Sequence, residues 1–205
     1  MSSTRRGGQR SPADNYPTPA WCCRRIIEAI PELPAGRWLE PCAGNGGLIA
    51  AVSDLRQDIV WDAVEIRSEC CEGIHATGRV ETVVTGDFLE FVAAEQQLQR
   101  YAVVMTNPPY STAEQFLLSS FSIADHVVML LRLNFIASAR RSKIMRDHPP
   151  DVYVLPNRPS FSGHGTDSIE YAWFHWDNNR ERQGNISVLP NSSLAERRSL
   201  PLAKE

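Results

Sequence analysis

Residues 37–47 read Arg-Trp-Leu-Glu-Pro-Cys-Ala-Gly-Asn-Gly-Gly: a short strand, RWLEP (37–41), running straight into a glycine turn, with a helix expected near 46–55. Glycines at 44, 46 and 47 let the backbone bend sharply and let a ligand approach without a Cβ in the way. Outward from this stretch the apolar runs alternate in kind. DIVWDAVEI (58–66), VETVVTG (80–86), YAVVMTN (101–107) and HVVMLLRLNF (126–135) carry the Val/Ile enrichment of strands, as do DVYVLP (151–156) and SIEYAWFHW (168–176). PAWCCRRIIEAI (19–30), TAEQFLLSSF (112–121) and ASARRSKIMRDH (137–148) have helical spacing. Strands alternating with helices predict an α/β fold: a mostly parallel twisted sheet, helices on both faces, and the last two strands as an antiparallel edge.

The flanks differ from this core. Residues 1–14 are Gly/Ser/Arg-rich and read as a mobile segment, and 177–205 show little apolar periodicity and read as a flexible tail. The 205 residues contain no apolar run of membrane-spanning length and no secretory signal at the start. Five cysteines, four of them in the adjacent pairs Cys22-Cys23 and Cys70-Cys71, suit free thiols in a reducing cytoplasm and show no metal-ligand spacing. The net charge of −3 hides an uneven distribution. Arg132, Arg140, Arg141, Lys143, Arg146 and Arg158 cluster in the later half, so a polyanion is expected to meet one face or edge only.

Unusual residues stand at successive strand ends. Glu40 precedes the glycine turn, which lacks both the GxGxxG spacing and the lysine of a phosphate loop. An acid beside such a turn suits a cationic ligand better than a pyrophosphate. Glu65 ends the next strand, about 20 residues on, where a carboxylate can accept both hydroxyls of a ribose. Asp87-Phe88 ends the third, an acid to bind an exocyclic amine beside an aromatic to stack on a purine. The sharpest signal is Asn107-Pro108-Pro109-Tyr110, directly after YAVVMT. An amine conjugated to a ring is a poor nucleophile because its lone pair is delocalised. The Asn107 side-chain oxygen and the Pro108 carbonyl can accept its two N–H groups and aim the lone pair at an electrophile. Two prolines stiffen the loop, and Tyr110 offers a stacking face worth ~1–3 kcal/mol. This is catalysis by positioning, without a covalent intermediate.

Glu40–Gly47 resembles the cofactor motif, and NPPY the catalytic motif, of S-adenosylmethionine-dependent amino methyltransferases. The likeness is greatest to adenine-N6 DNA methyltransferases of small phage and prophage type. Tyr16-Pro17-Thr18-Pro19, LLRLNFIAS (130–138) and RPSFSGHGTDSIEYAWFHW (158–176) resemble segments of the same enzymes. The resemblance covers residues 15–176 and implies a Rossmann-like class I methyltransferase domain, cofactor part first as in the gamma arrangement. It implies S-adenosylmethionine as cofactor and DNA as partner, with RNA the alternative, in the cytoplasm of a bacterial or phage-infected cell. Carried over by position, Glu40, Gly44, Asn45 and Gly46 hold the methionine moiety with help from Thr18. Glu65 takes the ribose, and Asp87 and Phe88 take the cofactor adenine. Asn107, Pro108, Pro109 and Tyr110 hold the target amine. Phe161 is a candidate second aromatic wall, and Arg158 and His164, in the loop 157–170, remain to contact nucleic acid. No insertion is long enough for a separate recognition domain, so sequence preference is expected to be short or slight. The rivals are methylation of RNA bases or of protein glutamine, and a non-catalytic binding module. Cytosine carbon-5 chemistry through Cys42 is disfavoured, because that residue sits inside the cofactor turn.

Overall fold

Strand β1 (Gly36–Glu40) lies between β2 (Ile59–Glu65) and β4 (Tyr101–Thr106), and all three run parallel. β3 (Val80–Thr85) pairs parallel outside β2, and β5 (Ala124–Arg132) pairs parallel outside β4. β7 (Tyr171–Asp177) then runs antiparallel between β5 and β6 (Asp151–Val154), and β8 (Ile186–Val188) pairs parallel with β6. The eight strands form one sheet in the order β3-β2-β1-β4-β5-β7-β6-β8. This computed structural model describes residues 17–94, 100–161, 168–179 and 184–198. The expected mobile segment 1–14 lies outside them.

Both faces of the sheet are covered, which is why β4, β5 and β7 read as near-continuous apolar runs. Val103, Met105, Val128 and Leu130 point to one side, under α1 (Ala20–Ala29), α2 (Gly47–Ser53) and α3 (Cys71–Ala76). Val104, Val127, Met129 and Leu131 point to the other, under α4 (Phe88–Ala94) and α5 (Ala113–Ile123). α1 buries Trp21, Cys22, Cys23, Ile26 and Ile27 on one face and stops before Pro31, whose ring cannot continue a helix. From β7, the Trp173 indole N–H donates to the Cys22 carbonyl at 3.0 Å in the buried core, pinning α1 to the sheet. Among the described residues no helix is long and apolar enough to cross a membrane.

The antiparallel pairing of the last two expected strands is present, but β8 adds a further strand outside them. The stretch 184–198, read as part of a flexible tail, is built into the fold. Val152 N–H donates to the Asn185 carbonyl and Leu189 N–H to the Val154 carbonyl, at 2.7 and 2.9 Å. Leu189 and Ser192 are buried. Arg25 on α1 donates to Ser192 Oγ at 3.1 Å and to Glu196 Oε1, on α7 (Leu194–Arg198), at 3.0 Å. α6 (Ser142–Asp147) is shorter than the expected helix over 137–148.

Candidate active site

The parallel strands deliver their last residues to one edge of the sheet, the edge at which folds of this class bind ligands. The turn after β1 carries Gly44 at φ 54° and Gly46 at φ 77°, both left-handed conformations that disfavour side chains. Glu65, at the end of β2, reaches across to this turn. Its Oε2 accepts the Gly44 N–H at 2.6 Å, and its Oε1 accepts the backbone N–H of Arg67 at 3.0 Å and the Arg67 Nε–H at 2.8 Å. The carboxylate expected to take a ribose therefore stands at the glycine turn, with Arg67 folded over it.

Glu40 is only 3% exposed, and its Oε2 has no hydrogen-bond partner. Burial, then the negative charge of Glu65, pushes its carboxyl well above the ordinary range, partly offset by a backbone hydrogen bond at Ile49. A buried acid with an orphaned oxygen beside a glycine turn fits a cationic group, which would restore its charge. Thr18 is buried just ahead of α1, and no described hydrogen bond joins it to the turn.

At the end of β3, the Gly86 N–H donates to the Glu65 carbonyl at 3.0 Å, which brings the third strand end beside the second. Asp87 Oδ1 accepts the N–H groups of Leu89 and Glu90 at 2.7 and 3.1 Å and so caps α4. Phe88 is 2% exposed, with its ring 5.0 Å from that of Phe116. That contact is part of the core on this side of the sheet. Ile66, immediately after Glu65 and 60% exposed, adds apolar surface at this edge. Sequence reasoning missed it, although an isoleucine placed beyond the acid that ends a buried strand was a usable signal.

NPPY follows β4 and is joined to the glycine turn. The Cys42 thiol donates to the Asn107 carbonyl at 3.4 Å and shares a hydrogen bond with Thr106 Oγ1 at 2.8 Å. Burial pushes this thiol well up, against any role as a thiolate nucleophile. The Tyr110 hydroxyl donates to Asn107 Oδ1 at 3.0 Å, which ties the two ends of the motif together. Pro108 is buried, while Asn107 and Tyr110 are half-buried. The Pro109 carbonyl accepts the Thr112 N–H at 3.0 Å, closing the loop onto α5. Tyr110 packs on Tyr171 at 5.7 Å between ring centroids, and Phe161 meets Tyr171 edge-on at 5.1 Å. Phe161 thus joins an aromatic series that begins at the motif. Arg158 is paired with Glu170 and is not brought to NPPY by any described contact. His164 lies outside the described residues.

No family model and no curated protein matches the chain. Solved structures match in shape. A protein of Pyrococcus horikoshii assigned as the RNA methyltransferase PH1948 superposes with a TM-score of 0.64 at 19% identity, covering 86% of this chain and 94% of its own. Two others are the predicted O-methyltransferase Atu636 of Agrobacterium tumefaciens (TM-score 0.59, 16% identity, 81% and 84% covered) and the 23S rRNA methyltransferase ErmE (0.55, 16%, 76% and 66%). The chain has the class I methyltransferase fold.

Within the class I methyltransferase fold, the ends of β1, β2, β3 and β4 are neighbours by topology alone, so the order of motifs along the sequence becomes one continuous edge. The acid–glycine turn, Glu65, Ile66 and NPPY fall on that edge together. Arg67 and Arg132, which the sequence did not single out as site residues, also reach it. The Arg132 guanidinium carbon lies 4.8 Å from the Tyr110 ring centroid.

Proposed function

We propose that the protein transfers a methyl group from S-adenosylmethionine to the exocyclic amine of adenine in DNA. The observation that carries this reading is the Asn107–Tyr110 loop, held rigid at the carboxyl edge and hydrogen-bonded through Cys42 to the glycine turn. The cofactor fits the residues present: Glu40 would face its ammonium group, the Gly44–Gly46 turn its methionine part, Glu65 its ribose and Ile66 its adenine. When bound, it supplies an electrophilic methyl on a sulfonium.

The protein's own contribution is positional. Glu40 gives up its proton when a cation arrives to pair with it. Glu65 exchanges the Arg67 guanidinium for hydroxyl donors. Asn107 Oδ1 and the Pro108 carbonyl accept the two N–H groups of the target and disfavour planar nitrogen, while Tyr110 stacks on the ring. Each such preorganised acceptor is worth roughly 10²–10³ in rate. A duplex substrate has to release its adenine from the stack, at a cost of a few kcal/mol. RNA is the second reading, favoured by PH1948 and ErmE among the structures of similar shape.

The test is labelled-methyl transfer to DNA, RNA and protein side by side, with mass spectrometry of the released nucleosides. N6-methyladenine in DNA is the expected product. Asn107→Ala is expected to lower kcat by roughly 10²–10³ with cofactor affinity nearly intact. A large loss of cofactor binding in that variant would place Asn107 in the wrong subsite.

A further inference from the structure

NPPY chemistry is indifferent to what carries the amine: a base and a glutamine amide both offer a flat NH₂. The residue beside the motif is not indifferent. Arg132 is the last residue of β5, which pairs with β4 up to the Thr106–Met129 rung. Three residues beyond that rung, its side chain overlies the loop that follows Thr106, with the guanidinium over Tyr110. It is half-buried, and its Nε is fully buried with no hydrogen-bond partner. Other arginines differ: Arg67 is paired with Glu65, Arg140 with Glu114 and Arg158 with Glu170. Among the described residues no carboxylate pairs with Arg132.

A buried charged donor left without an acceptor costs more than an ordinary lost hydrogen bond. A fold tolerates it where a ligand completes it, and the ligand that suits a guanidinium is a planar or tetrahedral oxyanion. An extruded nucleotide brings such a group with it, because its phosphates lie one sugar away from the base. A glutamine side chain brings none.

We infer that Arg132 is a substrate-binding residue that engages a backbone phosphate of the target nucleotide, so that the site selects a nucleic acid over a protein amide. This rests on the reading of NPPY as the amine-binding loop. It adds Arg132 to Arg158 as a basic contact expected for the nucleic acid.

The experiment measures binding of an adenine-containing oligonucleotide by fluorescence anisotropy across a salt series. The wild type, Arg132→Met and Arg132→Lys are compared, with cofactor affinity and thermal melting measured on each. Arg132→Met is expected to weaken oligonucleotide binding about ten- to hundred-fold while leaving cofactor affinity unchanged. The slope of log K against log salt should shrink by about 0.9 for a duplex or about 0.7 for a single strand. Arg132→Lys should keep the slope. The same contact is probed without altering the protein by making the linkages next to the adenine neutral methylphosphonates. These should weaken the wild type but cost Arg132→Met nothing more. An unchanged slope in Arg132→Met, a methylphosphonate penalty that persists in it, or wild-type transfer to a glutamine peptide in preference to any oligonucleotide overturns the inference. The inference stands while the methylation reading falls if the wild type binds the oligonucleotide through Arg132 but transfers no methyl to any acceptor.

Discussion

Alanine at position 46 should cost the protein several degrees of melting temperature, while alanine at position 47 should cost nothing. Gly46 sits at φ 77°, ψ 15°, where an L side chain is disfavoured by about 1–2 kcal/mol. A Cβ there would also stand 2.7 Å from Thr77 Cγ2 and 3.2 Å from the Ile74 Cα. Neither neighbour gives way easily. The Thr77 hydroxyl donates to the Ile74 carbonyl at 2.7 Å and accepts the Arg79 N–H at 3.2 Å, and Ile74 Cα is backbone. Overpacking of this kind costs about 1–3 kcal/mol, so the sum is about 2–5 kcal/mol. For a chain of this size that corresponds to a fall of roughly 4–20 °C. At Gly47, by contrast, an added Cβ meets nothing within 4 Å, and the residue opens α2. Alanine there should be neutral or gain about 0.5–1 kcal/mol. Thermal unfolding of both variants without ligand, followed by circular dichroism, makes the comparison. Melting temperatures within about 2 °C of each other would mean that the turn is not seated against α3 as described.

Other expectations concern single groups. The carboxyl of Glu40 is pushed up by burial and by Glu65, so the ligand-free fold holds a proton that the unfolded chain releases. Glu40's contribution therefore falls as pH rises above the unfolded value, and Glu40→Gln should stabilise the ligand-free protein more at pH ~8 than at pH ~5. For the same reason wild-type cofactor affinity should strengthen with pH as that proton is lost; affinity that is flat from about pH 5.5 to 8.5 would count against the Glu40–ammonium pairing. Cys42→Ala should keep methyl transfer within about ten-fold, since its thiol is held protonated; a loss beyond about 10³ would restore a cysteine-nucleophile mechanism. Leu189→Ala should destabilise by about 2–4 kcal/mol, read from the urea midpoint, whereas an unchanged midpoint would return residues 184–198 to a loose tail.

What the sequence disclosed was whatever short-range signals encode. A strand that runs into Pro41 and two left-handed glycines announces its own end, and so does a strand that runs into Asn-Pro-Pro. The parallel sheet then places such ends together without further instruction. What escaped depended on partners far along the chain. Nothing local to Phe88 shows that its ring packs against that of Phe116, 28 residues later. Arg67 gives no sign that its guanidinium turns back onto Glu65. The three residues of β8 are all exposed and are held through the backbone hydrogen bonds that flank them, so no apolar alternation betrays them. α3 and α4, of six and seven residues, are too short for helical periodicity to register.

The hydrogen bond from Trp173 to Cys22 spans 151 positions, and the ties from Arg25 to Ser192 and Glu196 reach further still. α1 is therefore made long before its last anchors: α2 and the strands that share its core cluster come early, but the tie to β7 waits until Trp173 has been made. Until then its row of Trp21, Ile26 and Ile27 is only partly covered, at some risk of association with other nascent chains. A helix made early is thus among the last to be locked in place, once translation has passed the final core strand.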